Sequence, residues 1–315
     1  MEKLIISSSP HIHTKTTTQT IMRDVLISLA PATVAAIVLF GIKALIMVLV
    51  CVATSVLSEF IFNAIVKKKQ TVCDLSAAVT GLLLALTLPA KVGIWECIVG
   101  SVFAIVVVKC LFGGIGCNFA NPAITARVMM LVAFSSVVGG SATNFQDADF
   151  ATSATPLQAL KDGALTMPSL TDMFLGNIGG AIGETCALAL ILGGIYLVTR
   201  KVISWHTPVI YVATVFVLSL IIKQDLTEAL YQVLGGGLLI GAIFMATDHV
   251  TSPINKVGKM VFAFGCGLLT VLIRFFGSYP EGVSFAILIM NIVSPYIEKW
   301  CAKTPLGKAG KKNEV

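Results

Sequence analysis

Ten stretches of apolar residues, each bounded by charge, glycine or proline, run through this chain at 25–40, 44–66, 75–88, 92–108, 123–138, 182–198, 208–222, 229–244, 260–273 and 283–296. A helix needs about 20 apolar residues to cross a hydrocarbon core of about 30 Å. Most stretches approach that length, and nothing in a water-soluble domain requires so many in one chain. Of 315 residues, 56% are hydrophobic and only 12% charged, about half the usual charged share; mean hydropathy is +0.92. The pattern predicts an all-α polytopic membrane protein with about ten transmembrane helices. It excludes a disordered chain, a collagen and a secreted disulfide scaffold. The stretches 75–88 and 260–273 are short, which predicts tilted, broken or half-spanning helices.

The net charge of +6 does not imply a nucleic-acid partner, because the basic residues cluster between apolar runs. With the N-terminus in the cytoplasm, sixteen fall inside: Lys3, Lys15, Arg23, Lys67, Lys68, Lys69, Lys109, Arg200, Lys201, Lys256, Lys259, Lys299, Lys303, Lys308, Lys311 and Lys312. Five fall outside (Lys43, Lys91, Lys161, Lys223 and Arg274), and Arg127 lies within a span. That bias orients the chain: both termini are cytosolic, and the polar stretch 139–173 is external. The resulting division is a cytosolic segment 1–22, a five-helix unit 23–138, the external loop 139–173, a second five-helix unit 174–298 and a basic cytosolic tail 299–315. Residues 1–21 lack the apolar core of a signal peptide, so the first span is expected to act as the insertion signal. The eight cysteines contain no CxxC and read as small apolar residues.

The two units repeat. Gly81-Leu82-Leu83-Leu84-Ala85 matches Gly237-Leu238-Leu239-Ile240-Gly241, and Phe112-Gly113 matches Phe276-Gly277. The offset grows from 156 to 164 residues, which places an insertion at Thr247–Lys256. Five spans per unit set the halves upside down relative to each other, an arrangement that puts sites where the halves meet.

In the external loop, Thr155-Pro156-Leu157-Gln158 has the composition of a helix start: Thr155 as N-cap, Pro156 at N1 and Gln158 at N3. The amides of such a start can hold phosphate oxygens, and the hydroxyl could carry a phosphorylated ligand covalently. The surrounding Asp149-Phe150-Ala151-Thr152-Ser153-Ala154-Thr155 resembles the site at which FMN is joined to threonine by a phosphoester bond. That site occurs in the D subunit of the Rnf complex, an ion-translocating ferredoxin:NAD oxidoreductase, and in the related B subunit of the sodium-pumping NADH:quinone reductase. Asp149, Thr152, Ala154 and Thr155 match, whereas Ser153 stands where glycine is common.

The resemblance extends along the chain. It includes Ser9-Pro10-His11, then Thr80-Gly81-Leu82-Leu83-Leu84-Ala85-Leu86-Thr87-Leu88-Pro89, and then the Gly-rich run Gly113 to Ala123. Met245-Ala246-Thr247-Asp248 with Thr251-Ser252-Pro253 and the run Arg274 to Val283 complete it, in the family's order. Membership would imply a membrane flavoprotein subunit that couples ferredoxin:NAD electron transfer to Na⁺ or H⁺ translocation. It would imply FMN on Thr155, a separate flavin transferase, and partner subunits in the membrane and at its surface, one of them an external FMN carrier. The subunit would not be catalytic alone. It would localise to the bacterial cytoplasmic membrane.

Gly113, Gly114, Asn118, Asn121, Arg127 and Asp248 form a second candidate group, expected on the cytosolic side. There a non-covalent flavin such as riboflavin, implied by the quinone-reductase relative, or a partner's redox centre would be met. The structural alternative is that the glycines turn the chain and the asparagines cap helices. Arg127 needs a carboxylate or an anionic ligand. Glu59, Asp74, Glu96, Glu184 and Glu228 are expected to reach the interface by snorkelling rather than to carry ions, with Glu184 the one to test first. No His pair has metal-ligand spacing, and no metal is expected. The rival reading is a channel or secondary transporter for a small polar solute on the same inverted repeat; a third is a scaffold subunit. Fold alone does not separate them.

Overall fold

The computed structural model describes residues 16–139, 141–143, 152–162 and 167–302, with only the backbone described at 141–143 and 152–154. The chain opens with α1 (Thr18–Ile65), 48 residues capped by the Thr17 hydroxyl. Gly41 breaks it at φ 68° and ψ −155°, so α1 is two helices of membrane-crossing length joined at the one residue type that accepts this backbone without strain. The break falls between the first two expected spans.

Next come α2 (Ser76–Thr87), α3 (Ile94–Val102) running into a π-helical stretch Phe103–Cys110, α4 (Pro122–Ala133) and the short α5 (Ser135–Val138). Strand β1 (Ser141–Thr143) pairs antiparallel with β2 (Thr152–Ala154), Ser141 opposite Ala154. This ribbon departs from the all-helical expectation. After it lie α6 (Pro156–Lys161), α7 (Leu170–Leu175), α8 (Ala187–Thr199) and α9 (His206–Lys223). α10 (Leu226–Leu234), α11 (Leu238–Ile240) with the π-helical stretch Gly241–Met245, α12 (Lys256–Phe276) and α13 (Val283–Cys301) complete the chain.

Among the described residues, α1, α9 and α12 are each long and apolar enough to cross a membrane, and Leu226–Leu234 with Leu238–Met245, bent by 61°, is together apolar and long enough for a broken span or a re-entrant loop. α2, α4 and α8 are apolar but only 12, 12 and 13 residues long. At 1.5 Å per residue these reach about 18–20 Å; the stretch 75–88 is short as expected, whereas 260–273 lies within the 21-residue α12 and is long enough to cross. Ten full crossings are not what the helix lengths give. Val38, Ile42, Ile65, Val132 and Ile221 point outward, each more than half exposed. Apolar faces of this extent belong against lipid.

The interior is built on close contacts of small residues, the packing that membrane helices use. A Cβ on Gly81 would lie 2.7 Å from the Cys51 carbonyl oxygen of α1, and one on Gly193 would collide with that of Ser28. α2 is apolar on every face and almost wholly buried, as a helix at the centre of a bundle must be. Its terminal carbonyls would be orphaned there, but the loop before α8 satisfies two of them. Ile182 N–H donates to Leu88 O (3.1 Å) and Gly183 N–H to Leu86 O (2.8 Å). The two halves of the chain are thereby stitched together by backbone hydrogen bonds.

The carbonyls at the end of α10 are met differently. Arg274 of α12 is buried and donates through Nη1 to Gln232 O (2.5 Å) and Gln232 Oε1 (3.1 Å), and through Nη2 to Gly235 O (3.3 Å). A guanidinium thus holds the bend at Gly235-Gly236-Gly237, where only Gly236 takes a left-handed backbone, at φ 65°.

Candidate functional site

Thr155 follows β2 and opens α6. Its hydroxyl oxygen accepts from Gln158 N–H at 3.2 Å, and Pro156 occupies the first helical position, as the sequence predicts. Gln158 does not reach back to close the capping box; its side chain donates to Asp162 at 2.8 and 2.9 Å. Thr152, Ser153 and Ala154 form β2, whose pairing with β1 delivers the chain to Thr155. Asp149 lies outside the described residues.

Thr155 borders a cavity whose other walls come from both halves of the chain: Pro89, Arg127 and Leu131 from the first, Gly180, Tyr279, Glu281 and Phe285 from the second. Arg127 is buried, and its Nη2 lies 3.5 Å from Glu281 Oε2. Its Nη1 is buried without a hydrogen-bond partner. An unsatisfied guanidinium N–H costs the full desolvation of a charged donor unless something fills the cavity to accept from it. The sequence requires an anion or carboxylate for Arg127; Glu281 is that carboxylate, and one donor is still unmet.

This corrects the expected second group. Arg127 belongs to the Thr155 cavity, not with Asn118, Asn121 and Asp248. Those three line a separate cavity with Thr80, Lys109 and Phe244. There the Asn121 carboxamide oxygen accepts from Ala123 and Ile124 N–H at 3.0 and 3.4 Å, capping α4. Asn118 Oδ1 is buried without a partner. Asp248 accepts from the Thr251 hydroxyl at 3.1 Å; burial holds its carboxyl above the usual carboxylate range and holds the neighbouring His249 imidazole below its own. Gly113 and Gly114 do not border the cavity. They form the turn after the π-helical stretch at φ 120° and 99°, so the structural alternative accounts for them.

A third constellation was not foreseen. Lys109, expected as a loop charge, is 2% exposed and donates to Glu59 Oε1 at 2.9 Å and Ser76 Oγ at 2.7 Å. The Thr71 hydroxyl also donates to Glu59 Oε1, at 2.7 Å. Glu59, Glu96 and Glu184 are all buried, which overturns the expectation that they snorkel. Glu228 is partly exposed and lies 3.3 Å from Lys223. The signal for Lys109 was its place at the end of an apolar run, where the π-helical stretch turns it inward.

The fold and site together define a polytopic helical membrane protein with a cavity between its halves, bordered by Thr155 and by an under-satisfied arginine. The chain belongs to the NQR2, RnfD, RnfE family, whose description matches residues 5–307. It is similar to the D subunit of the Na(+)-translocating ferredoxin:NAD(+) oxidoreductase complex of Acetobacterium woodii, 44% identical over 99% of this chain and 98% of that protein. The D subunit of the proton-translocating ferredoxin:NAD(+) oxidoreductase complex of Clostridium ljungdahlii is 38% identical over 96% of each chain. The D subunit of an ion-translocating oxidoreductase complex of Halorhodospira halophila is 34% identical over 96% of this chain and 95% of its own.

Proposed function

We propose that this chain is the D subunit of an ion-translocating ferredoxin:NAD oxidoreductase complex and carries FMN phosphoester-linked to Thr155. The observation that carries the reading is that Thr155 lines one cavity with Arg127, whose Nη1 is buried without a partner. A phosphoester at Thr155 would bring negative charge to that donor, so the residues present fit the group. When bound, the flavin supplies electron transfer; the chain supplies attachment, placement and surrounding charge. Thr155 acts as a tether, Arg127 as the cation beside it, and Glu281 holds Arg127 in place. Tyr279 and Phe285, stacked with ring centroids 5.3 Å apart, give the cavity an aromatic wall.

Two inverted five-helix repeats are the architecture that best accounts for the pairing of features between halves. α2 leads into the loop at Pro89 and the stretch after α11 leads into the loop at Asp248. The N-terminal end of α13 borders the Thr155 cavity, and that of α4 borders the Asp248 cavity. The charge bias sets the termini in the cytosol and Thr155 outside, in a bacterial cytoplasmic membrane. One electron hop across a core of about 30 Å is too long, so the route inward needs a relay. The Asp248 cavity, with Asn118 Oδ1 unsatisfied, is the place in this chain for a second, non-covalent flavin such as riboflavin, or for contact with a partner's redox centre. An external FMN-carrying subunit delivers electrons, and a separate flavin transferase installs the FMN.

Peptide mass spectrometry of the complex purified from a host with that transferase tests this reading. The peptide containing Thr155 is expected to carry the mass of FMN less one water. An unmodified Thr155 peptide as the sole species removes the flavoprotein reading and favours the transporter.

A further inference from the structure

Three of the five basic residues that the charge count sets outside, Lys161, Lys223 and Arg274, line a single cavity of about 230 Å³. Among the described residues it shares only Pro280 with the cavity at Thr155. Lys161 lies in the last turn of α6, Lys223 in that of α9 and Arg274 in that of α12. A cation in a last turn offsets the carbonyl end of its own helix. That accounts for one charge per helix, but not for three helix ends meeting around one hollow.

Glu228 is the single carboxylate among the described lining residues, so three cations face one anion. Glu228 is taken by Lys223 at 3.3 Å, whose ammonium also lies 5.9 Å from the centre of the Phe275 ring. The other two cations meet only neutral oxygens. Lys161 donates to Gly277 O at 2.6 Å. Arg274 donates to Gln232 O, Gln232 Oε1 and Gly235 O, and its Nε is buried without a partner. Neither Lys161 nor Arg274 is within ion-pair distance of a carboxylate among the described residues. The cavity has a surplus of positive charge and a buried arginine at its wall.

We propose that this cavity binds the phosphate of an anionic phospholipid from the outward-facing leaflet. Lysine as a point charge and arginine as a fork both recognise phosphate oxygens, and a phosphodiester supplies the missing negative charge. An apolar tail also has somewhere to go. Leu160 and Phe275 form part of the wall, and Ile221 of α9 with Leu272 and Phe276 of α12, close along the chain to the lining residues, are exposed. The bound phosphate joins the ends of α6, α9 and α12, and so steadies the short helix that begins at Thr155. The site does not depend on flavin at Thr155; only the choice of leaflet rests on the orientation set by the charge bias.

Native mass spectrometry of the purified complex, titrated with dioctanoylphosphatidylglycerol, tests this. Wild type is expected to bind a molecule that the double variant Lys161→Gln, Lys223→Gln loses, its affinity falling about thirtyfold, the effect of two lysines beside an anionic headgroup. Glu228→Gln, which removes the one carboxylate, is expected to hold that lipid more tightly than wild type, a gain that a merely structural role would not give. Dioctanoylphosphatidylcholine, whose choline cancels the phosphate charge, is expected not to displace it. Equal binding in wild type and the double variant, or displacement by phosphatidylcholine at equal concentration, overturns the site. Displacement by inorganic phosphate at equal concentration overturns the lipid and assigns the cavity to free phosphate. Thr155→Val is expected to keep the lipid; its loss there would tie binding to the flavin and overturn a separate site. Both lysines are exposed, so the double variant is expected to melt with wild type in the absence of lipid, and Glu228→Gln decides the question if it does not.

Discussion

Arg127 on α4 and Glu281 ahead of α13 meet at 3.5 Å across the boundary between the two halves of the chain, so one ion pair both joins the halves and lines the cavity at Thr155. Removing one partner of a buried pair costs about 3–5 kcal/mol. Arg127→Leu is therefore expected to lower the melting temperature of the detergent-solubilised complex and to reduce flavin attachment. Arg127→Lys is expected to keep much of the stability, because a lysine supplies the charge without the second donor. A melting curve and a flavin-to-protein ratio for each variant check this; full attachment in Arg127→Leu would exclude Arg127 from the site.

The Lys109–Glu59 pair makes a separate prediction. Lys109→Met leaves Glu59 buried with only the Thr71 hydroxyl, at a cost of about 3–5 kcal/mol. The double variant Lys109→Met, Glu59→Gln is expected to recover much of that loss, since both charges are gone. A double variant no more stable than Lys109→Met would mean that the network's other hydrogen bonds dominate.

Gly183 sits where the loop before α8 crosses the end of α2, and a Cβ there would lie 2.5 Å from Leu86 Cβ. Gly183→Ala is expected to cost about 1–3 kcal/mol by overpacking. Gly114→Ala is expected to cost stability for a different reason: a Cβ there meets open space, but the φ of 99° strains any other residue. Thermal melting of both variants checks this; an unchanged melting temperature in either would remove the cause assigned to it.

Orientation is testable without any cofactor. With the native cysteines replaced, Cys73 and Cys117 above all because they are exposed, a cysteine at Gln146 is expected to react with an impermeant thiol reagent in whole cells. One at Lys68 is expected to react only after permeabilisation. Reversed labelling would invert the chain and put Thr155 in the cytosol.

Much of this was legible in the sequence, for reasons that differ by residue. Thr155 was readable because a cap is local: a hydroxyl followed directly by proline marks the helix start. The need of Arg127 for a negative partner was readable from its depth, but Glu281 was not, because 154 residues separate them and only the packing of α4 beside the loop before α13 joins them. The same distance problem misassigned Arg127 to the Asp248 cavity. Lys109 was misread because positive charges between apolar runs usually mark loops; the π-helical stretch rotates it into the core, and no one-dimensional pattern reports that. The ribbon of β1 and β2 was invisible because three-residue strands carry too little alternation to register.

Fluorescence under ultraviolet light in a denaturing gel tests the central claim most directly, because only a covalent flavin survives denaturation with the chain. The wild-type subunit, made in a host with the flavin transferase, is expected to give a fluorescent band. Thr155→Val, which keeps the shape and removes the hydroxyl, is expected to give a dark one at equal protein. A band of undiminished fluorescence in Thr155→Val, or a dark wild type, would contradict the account.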